Sequence, residues 1–299
     1  MIATRALGDL RVSAIGLGAM TITQRPDADT EQGVRTVHAA VDAGITLFDT
    51  ADAYGPSSEM GVNERALISA LRSHPDALDR VVIITKGGHT RGPESTWWVD
   101  GTPEHLARAA RDSAHRLGLD ALPLFQHHRP DPTVPYAESM GALRQLVDDG
   151  VAARVGVSNV NTQQLQTAID ILGDDLVSVQ NEYSVTQREN DPVLRMCERS
   201  GLAFFAWGPL GGRAAAKGVG DTADAVARVA QRHDVSPQRV ALAWLLELSP
   251  AMIPIPGASR PESVRDSARA PEIVFDDLDR RLLASVGDQP EATSAVVVP

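Results

Sequence analysis

The strongest constraint on the fold is a rhythm in the chain. Short apolar runs rich in strand-favouring residues alternate with helix-period segments eight times along 299 residues, with no linker or composition break. The runs are Ala14–Gly18, Ile45–Phe48, Val81–Thr85, Leu122–Gln126, Arg154–Val157, Leu176–Val179, Ala203–Ala206 and Met252–Ile255. Helices are expected over Glu31–Ala43, Asn63–Arg72, Thr102 to about Leu117, Tyr136–Asp148, Asp191–Ser200, Thr222–His233 and Pro237–Glu247. A capping box at Asn161–Gln164 opens another, and Pro261–Ala268 looks like a last helix opening. Thr4–Leu7 and Leu10–Ser13, joined by Gly8-Asp9, read as a leading hairpin. Strands buried on both faces read as continuous apolar runs, and a helix between each pair makes them parallel. The pattern predicts an α/β chain: a single-domain (β/α)8 TIM barrel over residues 1–299 with a short N-terminal β-hairpin. A Pro/Ala/Val-rich tail from about residue 288 is expected to lie over the barrel or fray.

Composition removes several function classes. The formal net charge of −11 argues against nucleic acid or an anionic membrane surface as partner, so an anionic ligand must meet locally placed donors. The single cysteine, Cys197, excludes an intrachain disulfide and fits a reducing compartment. Residues 1–30 hold no apolar run long enough for a signal peptide, and no later run is long enough to span a bilayer, so the cytoplasm is the expected location. Gly16 and Gly18 suggest a dinucleotide fingerprint, but Thr21 stands where the third glycine belongs. Close packing of this backbone against a neighbour or ligand is the expectation instead.

The polar residues fall in a pattern. Asp49, Lys86, His128, Ser158-Asn159, Gln180, Trp207 and Gly257–Arg260 each follow one of the apolar runs. In a closed barrel those ends converge on one face, where such barrels place their chemistry. Taken alone, Asp49 can equally cap a strand and Tyr54 can equally pack. Together, a lysine beside a carboxylate stays charged, and a phenol beside that lysine has its pKa lowered from about 10. Tyr54 then suits a general acid toward a developing alkoxide, and a neutral imidazole can orient the carbonyl. No side chain supplies hydride, so a cofactor is implied. The adjacent His127 and His128 should point to opposite faces, which disfavours one shared metal ion; His127 is taken as the structural member. Trp97 and Trp98 follow the third run and either wall a substrate pocket or pin their loop to the barrel.

With these residues in hand, the chain resembles the aldo-keto reductase superfamily over nearly its whole length. The matching segments, in order, are Asp49-Thr50-Ala51-Asp52-Ala53-Tyr54-Gly55, Thr85-Lys86-Gly87, Phe125-Gln126-His127-His128-Arg129-Pro130-Asp131, Gly156-Val157-Ser158-Asn159, Val179-Gln180-Asn181-Glu182-Tyr183 and Ile255-Pro256-Gly257. The resemblance implies a TIM barrel that binds extended NADPH without a Rossmann domain and reduces small-molecule aldehydes or ketones. It implies Tyr54 as proton donor, Lys86 as its pKa-lowering partner, Asp49 as counter-ion and His128 as the carbonyl-orienting group. Ser158, Asn159 and Gln180 would hold the nicotinamide carboxamide, with Trp207 where the family usually stacks Tyr or Phe on the ring. Gly208, Pro209, Leu210, Gly211 and Gly212 would follow the pyrophosphate, while Gly18, Ala19 and Met20 line the other side with Gly257. Ser259 and Arg260 match the segment holding the adenosine 2′-phosphate, which favours NADPH over NADH. Ser263, Ser267 and either Glu262 or Asp266 fall toward the adenine. Two rival readings are a nucleotide-sensing subunit of the channel β-subunit kind and a Schiff-base enzyme using Lys86. The first is disfavoured by the lack of an N-terminal extension, the second by Asp49 keeping Lys86 charged.

Overall fold

A computed structural model describes residues 2–24, 28–56, 59–92, 94, 96–212, 216–219, 224–284 and 286. The tail expected from residue 288 and the expected helix start at Thr222 lie outside the described residues. Strands β1 (Thr4–Leu7) and β2 (Leu10–Ser13) form the expected antiparallel hairpin. In chain order the others are β3 (Leu17–Gly18), β4 (Leu47–Asp49), β5 (Val82–Gly87), β6 (His89–Arg91), β7 (Trp97–Val99) and β8 (Leu124–His127). They continue as β9 (Val155–Ser158), β10 (Leu176–Glu182), β11 (Ala203–Trp207) and β12 (Met252–Pro254). The helices are α1 (Thr30–Asp42), α2 (Val62–Arg72), α3 (Pro103–Leu117), α4 (Tyr136–Asp148) and α5 (Thr162–Leu172). After these come α6 (Asp191–Ser200), α7 (Asp224–His233), α8 (Pro237–Leu248), α9 (Pro261–Ala268) and α10 (Asp277–Ala284). Among the described residues no helix is long and apolar enough to cross a membrane.

Eight parallel strands run in the order β12-β11-β10-β9-β8-β5-β4-β3. The sheet closes on itself where the Gly16 N–H donates to the Pro254 carbonyl and the Gly18 N–H to that of Pro256, each at 3.0 Å, with a parallel bridge between Gly18 and Gly257. The strand expected over Ala14–Gly18 is only two residues long for a physical reason. Pro254 and Pro256 accept hydrogen bonds but have no N–H to return, so no continuous ladder forms at this seam. Here the two glycines have their use: a Cβ on Gly18 would sit 2.8 Å from the Ile255 carbonyl oxygen. The close packing expected in place of a dinucleotide fingerprint is therefore backbone on backbone.

Alternation along the strands sorts the side chains. Leu47, Ile84, Leu124, Val177, Phe205 and Ile253 form one buried cluster with Leu7 and Val12 of the hairpin, which is the filled interior of the barrel. Phe48, Ile83, Phe125, Val157, Val179 and Phe204 belong to the other cluster, packed under the helices. Successive strand residues face opposite ways, so the next inward position after Leu47 is Asp49, after Ile84 is Lys86 and after Phe205 is Trp207. The candidate site is the topmost inward layer of the barrel.

Besides the short β3, other elements depart from the sequence expectation. The segment between Gly88 and Gly101 is not plain loop, because β6 and β7 pair antiparallel as His89↔Val99, Thr90↔Trp98 and Arg91↔Trp97. Strand β10 continues past Val179 through Gln180-Asn181-Glu182, whose polarity looks like loop although it pairs with Phe205, Ala206 and Trp207 of β11. Helix α10 was not anticipated; it docks through buried Asp279, which accepts hydrogen bonds from Arg232 and His233 of α7.

The seam makes a stability prediction. Gly18→Ala should lower unfolding free energy by about 1–3 kcal/mol, as overpacking against backbone does. Gly141→Ala, in α4 with nothing within 4 Å of an added Cβ, should raise it by roughly 0.5–1 kcal/mol. Urea unfolding of the two variants measures the contrast.

Candidate active site

A cavity of about 420 Å³ opens at the C-terminal ends of the barrel strands. Asp49 ends β4, and the chain then turns through Tyr54 into α2. That turn is anchored on both sides. The Asp52 N–H donates to the Lys86 carbonyl at 3.2 Å and the Asn63 N–H to the Tyr54 carbonyl at 3.1 Å. The Thr50 hydroxyl donates to the Asn63 side chain at 2.7 Å. Below them Glu64 is fully buried, accepting from Thr85 and from Arg116 at 2.6 Å each. The first turn of α2 thereby sets where Tyr54 stands.

At the centre, the fully buried Lys86 ammonium donates to the Asp49 carboxylate and to the Thr50 carbonyl, both at 2.8 Å, and to the Tyr54 hydroxyl at 3.3 Å. Gln180 donates to the second Asp49 oxygen at 2.8 Å. Burial, the largest influence on Lys86, works to lower its pKa, but the Asp49 charge and Tyr54 together carry it above the ordinary lysine value. For Tyr54 the balance goes against the sequence expectation. Burial outweighs the pull of Lys86, so the phenol sits above its ordinary value rather than below it. The ammonium opposes a desolvation penalty that would otherwise be larger still. Asp52, buried beside Glu64, is pushed well above the carboxylate range, chiefly by burial.

His127 and His128 point to opposite faces, as alternation requires. His127 is fully buried beside Tyr136 of α4, ring centroids 5.9 Å apart, and burial lowers its pKa to about 4. His128 lines the cavity, its ring edge-on to Tyr54 at 5.5 Å. Burial first, then Lys86 and neighbouring cations, hold it well below the ordinary histidine value, so the imidazole is neutral.

A shelf of hydrogen-bonded groups lies across from this pair. The Ser158 hydroxyl donates to the Gln180 carbonyl at 2.7 Å; the Asn159 amide donates to the His128 carbonyl and the Ser158 hydroxyl, each at 2.9 Å. The Trp207 indole N–H donates to the Asn159 side-chain oxygen at 3.2 Å. Asn159 holds a left-handed φ of 57°, a conformation asparagine tolerates better than most residues, and this keeps its side chain over the shelf. Beyond Trp207, Gly208, Gly211 and Gly212 all have positive φ, and an added Cβ on Gly212 would meet nothing within 4 Å. That stretch is open backbone with room for a ligand against it.

The family model for the aldo/keto reductase family matches residues 14–288. The chain belongs to the aldo/keto reductase family. Its membership makes it an oxidoreductase by family. An uncharacterized oxidoreductase of Schizosaccharomyces pombe is 34% identical over 272 residues, covering 89% of this chain and 84% of the relative. Pyridoxine 4-dehydrogenase of Escherichia coli is 30% identical over 281 residues, covering 90% and 93%. An aldo/keto reductase of Klebsiella pneumoniae, solved in complex with NADP and acetate, superposes with a TM-score of 0.81 at 26% identity, covering 97% of each chain.

Within this reductase barrel the sequence-expected residues divide. Asp49, Tyr54 and His128 line the cavity, and Lys86 lies directly behind them. Ser158, Asn159, Gln180 and Trp207 line it too, with Gly208, Pro209 and Leu210 beyond; Gly18, Met20 and Gly257 form the opposite edge. Ala19 does not reach it, being fully buried beneath, and Gly211 gives way to Gly212. Ser259, Arg260, Ser263 and Ser267 lie along the rim after β12 and at α9, outside the cavity itself; Ser267 is buried. Asp266 is already bound by Arg239 and Ser236, which leaves Glu262 as the acid on α9 without such a partner among the described residues. Of the two tryptophans only Trp97 lines the cavity. Trp98, next along β7, faces away and is 57% exposed. Two lining residues escaped the sequence reading, His89 and Arg129. Each lies within three positions of an assigned residue, beyond a strand end, and that position was the available signal.

The buried pair predicts a coupled stability effect. Lys86→Met should cost about 3–5 kcal/mol, because it strands the Asp49 carboxylate out of water. Combining it with Asp49→Leu should recover part of that loss, as denaturant unfolding of the single and double variants would measure.

Proposed function

We propose that this protein is an NADPH-dependent oxidoreductase that reduces aldehydes or ketones to alcohols, with Tyr54 as the general acid. The observation that carries the reading is the hydrogen-bonded chain from Asp49 through Lys86 to Tyr54, opening on a cavity beside a neutral His128. The residues fit a nicotinamide dinucleotide on structural grounds. Trp207 offers a π-face, Gln180 keeps a second amide hydrogen, and the left-handed Gly208 and Gly212 bring backbone without side chains to the cavity, where a pyrophosphate could lie. NADP in the Klebsiella pneumoniae relative supports the same choice. Ser259, half-buried, and Arg260, exposed at the start of α9, would hold the 2′-phosphate, since a guanidinium prefers that dianion.

When bound, NADPH would supply the hydride that the side chains cannot. The chain's own residues do the rest. His128, neutral, donates a hydrogen bond to the carbonyl oxygen and fixes its direction. Tyr54 gives its proton to that oxygen as negative charge develops there. Lys86 stabilises the tyrosinate left behind, and Asp49 keeps the lysine charged and in place. The same ion pair argues against Lys86 as a Schiff-base nucleophile, which needs a neutral amine.

Titration with NADPH and NADH, followed by quenching of tryptophan fluorescence, tests the cofactor half of this reading. Tighter binding of NADPH is expected, and Arg260→Ala should narrow the difference. Tyr54→Phe should reduce carbonyl turnover by about 10²–10⁴-fold while leaving NADPH affinity unchanged. Loss of cofactor binding in that variant would mean that Tyr54 has a different role.

The pH profile carries a separate expectation. His128 titrates well below the ordinary histidine value, so raising pH through 6.5 removes no proton from it. Tyr54 titrates above the ordinary phenol value and stays protonated well past neutrality. The kcat/KM for reduction should therefore be flat from about pH 6 to about pH 9. An ionisation near 6.5 would show that an imidazolium takes part.

A further inference from the structure

The cavity has two unlike walls. One is the shelf from β9 to β12; the other comes from the loops after β4, β5 and β8 and carries Tyr54, His89, Trp97, His128 and Arg129. This second wall is where a substrate would meet the proton donor, and its charges are uneven. Asp49 is the one carboxylate among the described lining residues, and Lys86 and Gln180 already engage both of its oxygens. Arg129 lines the same cavity and is exposed, and its guanidinium makes no hydrogen bond or ion pair among the described residues.

Its neighbours do not use it up. The Arg129 charge reaches Glu182 electrostatically without forming an ion pair, and that carboxyl is itself pushed up, chiefly by burial. His89 is carried down to about 4 by burial first and by Arg129 and Arg91 after it, so it stands neutral. Its ring packs on Trp97 at 4.6 Å, and the Arg91 guanidinium lies 4.1 Å from the same indole. The wall thus offers an aromatic surface, neutral hydrogen-bonding imidazoles and one unspent cation, in a chain whose net charge is −11. A global positive field does not explain a cation here. Local recognition does.

Resting on the reductase reading above, we infer that the substrate is a compact carbonyl compound bearing an anionic group, a carboxylate or a phosphate, which Arg129 binds at the cavity rim. Arg129 directly follows His128 and lines the same cavity, so an anion held by its guanidinium shares the cavity with the group that orients the carbonyl. A planar guanidinium pairs with carboxylate or phosphate through parallel hydrogen bonds, which sets orientation as well as affinity. His89 and Trp97 flank the carbon skeleton between the two polar ends.

Steady-state kinetics with NADPH and matched aldehydes test this. The pairs are 4-carboxybenzaldehyde against 4-methylbenzaldehyde, and glyceraldehyde 3-phosphate against glyceraldehyde. In at least one pair the anionic member is expected to have a kcat/KM higher by on the order of tenfold, expressed in KM, since the anion lies away from the reacting carbon. The pair that shows it tells carboxylate from phosphate. In Arg129→Gln the ratio should fall to about one, and in Arg129→Glu below it, with added salt shrinking the wild-type ratio. Equal efficiency within both pairs, or a preference that survives Arg129→Gln, overturns the inference while leaving the reductase standing. Absence of NADPH consumption with all four aldehydes overturns the reductase reading and this inference with it.

Discussion

A lysine and an aspartate withdrawn from water together govern this molecule. Removing either charge from solvent is expensive, and their mutual attraction offsets the cost only when the remaining hydrogen-bonding capacity is also met. Here it is met: the ammonium has Asp49, the Thr50 carbonyl and the Tyr54 hydroxyl, and the carboxylate has Gln180 as well. Satisfying the pair ties β4, β5, β10 and the loop bearing Tyr54 to one point. The geometry around Tyr54 and the top of the barrel are thus one structure. Burial pushes the neighbouring Asp52 carboxyl well above its ordinary value, toward its neutral form. Lys86 works against the burial that raises the Tyr54 pKa, which is a different task from lowering an exposed phenol.

What places such a pair inside a protein is strand alternation. The barrel is filled below by Leu47, Ile84, Leu124, Phe205 and Ile253, and capped from beneath by Leu7 and Val12 of the hairpin. Two residues further along the same strands the inward positions become Asp49, Lys86 and Trp207. A rigid apolar layer one step below fixes the direction of each polar side chain above it. The closing seam completes the frame, since Gly16 and Gly18 let β3 approach a final strand whose prolines cannot return hydrogen bonds.

The parts of this architecture that obey a local rule could be read from the chain, and those set by partners distant in sequence could not. Helices α4 and α6 begin and end where the sequence places them, α9 opens at Pro261, and the capping box at Asn161 and Gln164 forms as expected. Asp49, Tyr54 and His128 were legible because each follows an apolar run and the ends of such runs must converge. β10 was cut short in the reading because Gln180 and Asn181 are polar for the sake of the site, so site chemistry hid strand structure. β6 and β7 were hidden for another reason. Their pairing rests on cross-strand contacts such as Arg91 with Trp97, which carry no periodic signature in so short a stretch. Helix α10 depends on Arg232 and His233 reaching Asp279 from far along the chain. The sign of the Tyr54 shift was missed because adjacency to Lys86 is visible in a motif, whereas depth of burial is not.

The β6–β7 pair also sets two parts of the cavity apart. The residues proposed for proton transfer and cofactor positioning lie on or just beyond barrel strands, where any displacement would disturb the interior layer beneath. His89 and Trp97 instead ride on β6 and β7, a two-stranded sheet outside the barrel ladder. Arg129 follows the last residue that the barrel orients and is exposed. Changes at these positions alter the charge and shape offered to a substrate while leaving the bonds around Lys86 intact. Loops carried on a rigid frame are where binding specificity is least costly to vary. In this chain the division runs through the cavity itself, with the ion pair and its partners set by the barrel and the Arg129 cation set just beyond it.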